Sequence, residues 1–410
     1  MCSTAFVINA IVILLIGALY GVLNKTGAYQ NLIDKLAKKY KNGNKFLIIT
    51  SLVFLILSAL TALDLPLFTM VPFFAAVLLL LGYNKVTTMF ATIGGILVGN
   101  VVSIYGYNIA GISSYITGDV HYEIIFRLIF FLLVAIAFVF ASIKISNKKG
   151  KTKKEEIPFY EKVASKKSGN NILVISIIFM VITLVGMSNI EKVFNITFFT
   201  DIHTKITEFT INGYPIFKNL IGGIYTYGSW SNYELAMMLV ILIFIIKSMY
   251  KIKFNDLVDG IKKGVITMLP LAFYALIVNT VLLVMNALAS GYTIFPTIAD
   301  KLFSLTKGFN IISYSIVAAI GSLLYNDYPY LLNELYAPIT AIYSNSINIA
   351  TIIAQVIHGL VQILIPTSVT LILGLKYFDI SYSNWLKSVY KFLLLVLGIS
   401  IVVVVLIALL

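Results

Sequence analysis

The stretch QVIHGLVQILIPTSVTLILGLKYFDISYSNWLK, residues 355–387, decides the fold class. Its apolar run is interrupted by the sequence IPTS at residues 365–368. Because a proline removes a backbone donor and clashes with the preceding helical turn, this pattern predicts a membrane helix that breaks at residues 365–368. The alternative is a simple kink, in which the hydroxyls of Thr367 and Ser368 satisfy the freed backbone groups. Both hydroxyls are candidate ligands for a solute or an ion.

The composition places the rest of the chain in a membrane as well. Of the 410 residues, 60% are hydrophobic and 11% are charged, and the net charge is +13. A soluble protein carries about 25% charged residues. Soluble domains, nucleic-acid binders and secreted disulfide scaffolds are therefore excluded, and the single cysteine excludes an internal disulfide. No metal-ligand spacing, nucleotide loop or nucleophile motif is present, so we expect no enzyme activity, no cofactor and no nucleic-acid partner.

Lysine runs between the apolar stretches indicate which loops face the cytoplasm, because basic loops concentrate on that side of the plasma membrane. The predicted cytoplasmic loops are residues 25–45, 146–170, 247–263 and 376–387. We predict a multi-pass protein of the plasma (cytoplasmic) membrane with three parts. These are a first repeat at residues 1–145, a flexible Lys-rich linker at residues 146–170 and a second half at residues 171–410.

The number of crossings between cytoplasmic loops predicts two re-entrant hairpins. The loops 25–45 and 146–170 are both predicted to be cytoplasmic, so an even number of crossings must separate them. Either four full spans lie between them, or residues 46–82 form a hairpin that returns to the cytoplasmic side and two full spans follow. The hairpin has its tip at Asp64, in an Asp-x-Pro turn. The same reasoning predicts a second hairpin at residues 309–345, entering from outside, with its tip at Asp327. Short motifs recur in the same order in both halves, so we predict an all-α protein of two inverted-topology repeats, each with a re-entrant hairpin and a broken helix.

Asp64 and Asp327 are the strongest candidates for a functional site, because an ionisable group inside a membrane segment is costly and indicates function. We expect these carboxylates to bind a coupling cation, to carry a proton or to face a cationic substrate. The alternative, which is compatible with ion binding, is that each carboxylate caps the helix that follows it. Asn326, next to Asp327, is a further candidate ligand.

A second helix break is predicted in the sequence GGILVGN, residues 94–100. Unwound backbone there would expose free polar groups near the membrane midplane, where transporters of this kind bind their solutes. Gly99 and Asn100 are accordingly candidate substrate or ion ligands. The alternative for these glycines is close packing between helices.

Gln355, His358 and Gln362 form a polar stripe at helical spacing before residues 365–368. This stripe either lines the solute path or bonds to neighbouring helices. Glu123 and Arg127 lie four residues apart at the outer end of a span, so we expect them to form an ion pair at the membrane interface. The alternative for Arg127, the only arginine in the chain, is binding of a carboxylate.

Three stretches resemble a known family. These are GVLNKTGAYQNLIDKLAKKY (21–40), LDLPLFTMVPFFAAVLLLLGYNKVT (63–87) and the opening stretch, residues 355–387. Together they are similar to the YfcC and anaerobic C4-dicarboxylate carrier (DcuC) group of the ion transporter superfamily. The resemblance implies a homodimer with an elevator-like mechanism, driven by Na⁺ or H⁺, that moves dicarboxylates or amino acids. It also implies a site at Asp64, Gly99, Asn100, Asn326, Asp327, Thr367 and Ser368.

Two departures from the family pattern shape the functional expectation. The second tip reads GSLLYNDYP (321–329) where relatives have a tip rich in serine and glycine, and we expect a shortened N-terminus. The two tip carboxylates favour an amino acid or a cationic substrate over a dicarboxylate. We predict an ion-coupled secondary transporter of a small carboxylate-bearing solute, in contact with membrane lipid. The alternatives are a non-transporting sensor and a membrane enzyme derived from a carrier.

Overall fold

The computed structural model describes residues 2–113, 124–146, 157–161, 168–221, 223–286, 294–305, 310–343 and 347–409. Over these ranges the chain is helical and forms no β-strand. The first helices are α1 (Cys2–Lys25), α2 (Ala28–Lys39), α3 (Lys45–Thr61), α4 (Asp64–Phe68), α5 (Val71–Leu80), α6 (Lys85–Met89), a π-helical turn (Phe90–Gly94), α7 (Gly95–Val101), α8 (Tyr107–Ser113) and α9 (Ile124–Ser146). The remaining helices are α10 (Asn170–Gly186), α11 (Ile190–Phe194), α12 (Phe198–Thr207), α13 (Ile216–Ile221), α14 (Asn232–Met249), α15 (Phe254–Asn286), α16 (Ile294–Ser304), α17 (Ile311–Leu324), α18 (Tyr328–Tyr343), α19 (Ile347–Leu364), α20 (Val369–Phe378) and α21 (Tyr382–Leu409).

Long apolar helices make this a multi-pass membrane protein, as predicted. A crossing takes about 20 residues. In the part of the chain that is described, six segments are long and apolar enough to cross: Val7–Lys25, Ile124–Ser146, Asn232–Met249, Phe254–Leu282, Ile349–Phe378 and Tyr382–Ile407. Their outward faces suit lipid, since Leu132, Ile136 and Phe140 line one exposed side of α9 at helical spacing.

Both predicted hairpin tips coincide with interruptions between helices. α3 ends at Thr61, Ala62 adopts a left-handed conformation (φ 53°), and α4 begins at Asp64. α17 ends at Leu324 and α18 begins at Tyr328, which leaves residues 325–327 between them. The side from which each helix pair enters the membrane, and the inverted relation of the two repeats, stay predictions.

Of the two predicted helix breaks, one lies where it was expected. α19 ends before residues 365–368, and α20 begins after them. The prediction of a break within residues 94–100 is wrong, because the chain stays helical there and is interrupted only at residues 102–106. The physical reason is close packing. A Cβ atom at Gly95 would lie 2.8 Å from the Cβ atom of Phe54, so this glycine allows helices to approach rather than to unwind.

α1 and α15 pack at backbone contact through four glycines. A Cβ atom at Gly264 would lie 1.9 Å from the carbonyl oxygen of Gly17. A Cβ atom at Gly21 would lie 2.0 Å from the carbonyl oxygen of Gly260. Small residues at such a crossing allow van der Waals packing over a long contact, which drives helix association in lipid. This contact joins the first helix of the chain to the second half.

Buried apolar side chains form two clusters, and α19 contributes to both. The larger cluster includes α1, α3, α7, α9, α15 and α21, and it takes Val356 from α19. The smaller cluster holds the helix pair α17–α18 together with α16. Its members include Phe303, Tyr314 and Leu331, and it takes Ile353 from α19. The second helix pair therefore packs in a core of its own, connected to the rest through α19.

One segment of the predicted flexible linker is packed against the protein. Residues 157–161 lie along α1 and α2. The ring centroid of Phe159 is 5.6 Å from that of Tyr20, and the Tyr160 hydroxyl donates to Asp34 Oδ1 at 2.6 Å. Burial and the neighbouring Asp34 carboxylate raise the pKa of Tyr160. The flexibility predicted for residues 146–170 therefore does not extend to this pentapeptide.

Candidate functional site

Asp64 is held by side chains from both halves of the chain. Asn100 Nδ2 donates to Asp64 Oδ1 at 2.8 Å, and the Thr370 hydroxyl donates to Oδ2. The Ser58 hydroxyl lies 2.6 Å from the Ile96 carbonyl oxygen and 3.2 Å from Asn100 Oδ1, which positions the amide. The carboxylate thus bonds across to α7 and α20 and does not cap its own helix. We call Asp64, Asn100 and Thr370 the first tip cluster.

Gly99 permits this arrangement through its missing side chain. A Cβ atom at position 99 would lie 2.4 Å from Ser58 Cβ and 2.8 Å from the Leu55 carbonyl oxygen. Only glycine therefore allows α7 to pack this closely on α3, and the close packing brings Asn100 within reach of Asp64. Gly99 positions a site residue and makes no polar side-chain contact of its own.

Asp327 joins the two halves at the other tip. The Tyr107 hydroxyl donates to Asp327 Oδ2 at 2.9 Å, and the Tyr330 N–H group donates to Oδ1 at 3.2 Å. The carboxylate therefore caps the first turn of α18 and also anchors α8, so capping and a bond across the halves occur together. Next to it, the buried Nδ2 and Oδ1 atoms of Asn326 have no hydrogen-bond partner among the described residues. We call Asp327, Tyr107 and Asn326 the second tip cluster.

Neither tip carboxylate has a basic partner in the described ranges. The donors to Asp64 and Asp327 are an amide, two hydroxyls and a backbone N–H group, all of them neutral. Both aspartates are partly buried. A carboxylate that is partly desolvated and not neutralised attracts a cation. Among the described residues, no group of three or more His, Cys, Asp and Glu is placed to hold a metal ion.

Two of the three residues of the polar stripe of α19, His358 and Gln362, bond to the end of α17. Gln362 Nε2 donates to the Ser322 carbonyl oxygen at 3.1 Å and lies 3.4 Å from the Tyr325 carbonyl oxygen. His358 Nδ1 lies 3.3 Å from Ser322 Oγ. The last carbonyl groups of a helix have no partner within it, so these side chains satisfy groups that burial would otherwise leave costly. A role in lining the solute path stays a prediction.

The interruption at residues 365–368 is also satisfied by side chains. Ser368 caps α20 by accepting a backbone N–H group at 3.4 Å, and the Thr367 hydroxyl lies 3.4 Å from the Leu323 carbonyl oxygen. Trp385 Nε1 donates to the carbonyl oxygen of Ile363 at 3.0 Å. The helix therefore ends and restarts here, with each half anchored to its surroundings.

Arg127 is placed differently from its prediction. Arg127 is 7% exposed. Its Nη1 group donates to Gln355 Oε1 at 2.8 Å and lies 3.4 Å from the Ser103 carbonyl oxygen. The expectation of a side chain at the membrane interface is therefore wrong. The Ser103 carbonyl oxygen and the amide oxygen of Gln355 provide acceptors inside the protein, which keeps the guanidinium buried. Its expected partner, Glu123, lies outside the described residues.

The structure divides the predicted site residues into three groups. Two groups are the tip clusters, and the third satisfies backbone groups or permits close packing. The first tip cluster holds Asp64 and Asn100, the second holds Asn326 and Asp327, and the third group comprises Gly99, His358, Gln362, Thr367 and Ser368.

The sequence did not point to Thr370 or Tyr107. Each of these residues donates a hydroxyl to a tip carboxylate from the opposite half of the chain. The one available signal was position, because Thr370 follows Pro366 by a single helical turn and Tyr107 directly follows the turn at Gly106 (φ 78°). Hydroxyls just beyond a helix interruption are thus worth including among candidate ligands.

Comparison with protein families adds a finding to this geometry. A model of the family DcuC, described as C4-dicarboxylate anaerobic carrier, matches residues 3–409. The matched range contains both tip clusters, the interruptions at residues 102–106 and 365–368, and Arg127. No curated protein matches the chain.

Proposed function

This chain belongs to the C4-dicarboxylate anaerobic carrier (DcuC) family, and from that premise we propose that it is an ion-coupled secondary transporter of a small carboxylate-bearing solute. C4-dicarboxylates are the first candidates, because the family description names them. Na⁺ or H⁺ is the coupling ion, and the plasma membrane is the location. These proposals rest on the family and on the two tip clusters described above.

The observation that carries the proposal is the pair of unneutralised carboxylates, Asp64 and Asp327, at the two interruptions. A dianion held near them would be repelled. At about 6 Å and an effective dielectric constant of about 40, between bulk water and the protein interior, each like-charge pair costs about 1.4 kcal/mol. A cation bound at the tips removes this repulsion. Solute binding then becomes conditional on ion binding, which is the thermodynamic basis of coupled transport.

The packing supports a division into a moving unit and a fixed unit. The α17–α18 pair lies in the smaller apolar cluster, whereas α1 and α15 lie in the larger one, joined by the glycine contact. We propose that the α17–α18 pair moves with the solute and that the α1–α15 pair stays fixed in an elevator-type homodimer. This part of the proposal also follows the family resemblance.

An amino acid is the second candidate class of solute, favoured by the same two carboxylates. The ammonium group of an amino acid would interact with Asp64 or Asp327 as a coupling cation does. Aspartate combines both chemistries, since it has two carboxylates and one ammonium group. Direct comparison of aspartate with succinate therefore separates the two classes.

The test is uptake by purified protein in proteoliposomes with imposed Na⁺ or H⁺ gradients. The panel is succinate, fumarate, malate, aspartate, glutamate and a monocarboxylate. We expect accumulation of at least one dicarboxylate that disappears when the ion gradient is dissipated. Binding of a solute without any uptake would contradict the proposal and favour a sensor. Uptake that ignores both gradients would contradict ion coupling alone.

A further inference from the structure

The only arginine of the chain is buried beside the interruption at residues 102–106, and no described residue is its anionic partner. Arg127 is 7% exposed and lies in the first turn of α9. Its Nη1 group donates to Gln355 Oε1 at 2.8 Å and lies 3.4 Å from the Ser103 carbonyl oxygen. Its Nε atom is buried and has no hydrogen-bond partner among the described residues. Nη1 is therefore engaged, whereas the buried Nε–H group is unpaired among the described residues.

The charge of Arg127 is not compensated in the described part of the chain. The described residues form two ion pairs, and neither includes Arg127. In both of them the carboxylate is that of Asp259, which pairs with Lys25 and with Lys263, the latter at 3.6 Å. A buried charge without a counter-ion is costly even where neutral acceptors surround it. In a membrane protein such a group marks a substrate or ion pathway. Within the described residues, a bound anion would supply the counter-charge that Arg127 lacks.

The neighbours hold the guanidinium in one orientation. Gln355 Nε2 donates to the Ser103 carbonyl oxygen at 2.9 Å, which fixes the amide so that its Oε1 atom faces Arg127 Nη1. Arginine binds a carboxylate through two parallel N–H groups, and such a pair is stronger and more directional than a single contact. An oriented guanidinium whose Nε–H group is unpaired among the described residues suits one carboxylate group.

Arg127 is connected to the second tip cluster through α19. Thr351, one turn before Gln355 on α19, accepts a hydrogen bond from the Tyr328 hydroxyl at 2.7 Å. Tyr328 directly follows Asp327, and its ring centroid is 5.9 Å from that of His358. Residues within one turn of Gln355 therefore contact the tip where a coupling cation is proposed to bind.

We propose that Arg127 binds one carboxylate of the transported solute through its Nε edge and that Gln355 is the residue that positions it. This inference rests on the proposed function. It assigns opposite charges to neighbouring parts of one site, with the cation held by the tip carboxylates and the solute anion held by Arg127. It also predicts the specificity, because a solute that places a neutral group instead of a carboxylate at Arg127 loses the charged half of this contact.

The experiment measures the affinity of purified protein for succinate and for succinamate, in which an amide replaces one carboxylate. The variants are Arg127→Gln and Arg127→Lys, and Lys144→Gln is the matched control, because Lys144 is an exposed basic residue on the same helix. We expect Arg127→Gln to weaken succinate binding by about 30-fold or more, the usual effect of truncating one member of a buried charged pair. Arg127→Lys keeps the charge but not the two-pronged edge, so we expect an intermediate loss. Lys144→Gln should bind as the wild type does.

The decisive quantity is the ratio of the two affinities. We expect the preference for succinate over succinamate to fall towards unity in Arg127→Gln and to persist in Lys144→Gln. If Arg127→Gln does not fold, the same ratio in Arg127→Lys gives the answer. A wild-type ratio in the folded Arg127 variants would overturn the inference while leaving the proposed function intact. Glu123→Gln should keep the wild-type ratio, and an equal loss there would also overturn it.

The failure of the proposed function has a different signature. If the wild-type protein binds and transports no dicarboxylate, the proposed function fails and this inference fails with it. If the wild type transports succinate and the preference is independent of Arg127, only the inference fails.

Discussion

Replacement of Asp64 by asparagine tests the first tip cluster with the least structural change. Asparagine has nearly the same shape as aspartate and still offers an acceptor to the Asn100 amide, which lies 2.8 Å from Asp64 Oδ1. The substitution removes the negative charge that a coupling cation would meet between α4, α7 and α20. The variant should therefore fold and should lose the response to the ion.

The expected magnitude follows from the placement of the carboxylate. Asp64 is partly exposed, so an effective dielectric constant of about 40 is appropriate, between bulk water and the protein interior. A cation about 3 Å from the carboxylate then gains about 3 kcal/mol of attraction. Since each 1.4 kcal/mol is about tenfold in affinity, Asp64→Asn should weaken cation binding by about 100-fold. Gradient-driven accumulation of the solute should be abolished at ordinary ion concentrations.

The assay is uptake of labelled solute into proteoliposomes as a function of the imposed ion gradient. The matched control is Asp379→Asn, because Asp379 is exposed and has a left-handed backbone (φ 51°) that asparagine tolerates well. The control should accumulate solute with wild-type ion dependence. If Asp64→Asn also does so, the assignment of Asp64 to ion coupling is refuted.

Two further substitutions test the second tip cluster and the packing beneath the first. Tyr107→Phe removes the hydroxyl that lies 2.9 Å from Asp327 Oδ2, so the affinity for the ion should change by about tenfold. The measurement is the ion concentration that gives half-maximal uptake. An unchanged concentration would contradict a role for this hydrogen bond. Gly99→Ala places a Cβ atom 2.4 Å from Ser58 Cβ, so we expect a loss of stability of about 1–3 kcal/mol with a lower melting temperature in detergent. Gly398→Ala is its control, because a Cβ atom there meets nothing within 4 Å; equal melting temperatures of the two variants would contradict the packing account.

The membrane class and most helix interruptions could be predicted from the sequence. Hydrophobicity and lysine runs are properties of single segments, so they are visible without tertiary contacts. The Asp-x-Pro sequence predicted the interruption at Asp64, and Pro366 predicted the interruption at residues 365–368. The glycines of residues 94–100 were ambiguous, because a missing Cβ atom serves unwinding and close packing equally well. Only the neighbouring α3 decides between them.

The side chains that bond to Asp64 and Asp327 could not be predicted from local sequence patterns. Asp64 and Thr370 are 306 residues apart, and Tyr107 and Asp327 are 220 residues apart. Charge alone identified the carboxylates, since an aspartate in an apolar segment stands out. The hydroxyls that hold them are common residues with no distinctive spacing. Arg127 shows the same limit, because its position suggested an interface and its acceptors come from α19 and residues 102–106.

The most direct test of ion-coupled carboxylate transport is the accumulation of labelled succinate in proteoliposomes against its own concentration gradient. Wild-type protein with an inward Na⁺ or H⁺ gradient should concentrate succinate above the external level, and an ionophore that dissipates the gradient should return it to equilibrium. The Asp64→Asn variant should not exceed equilibrium under either gradient. Wild-type protein that binds succinate but never concentrates it under either gradient would contradict the account.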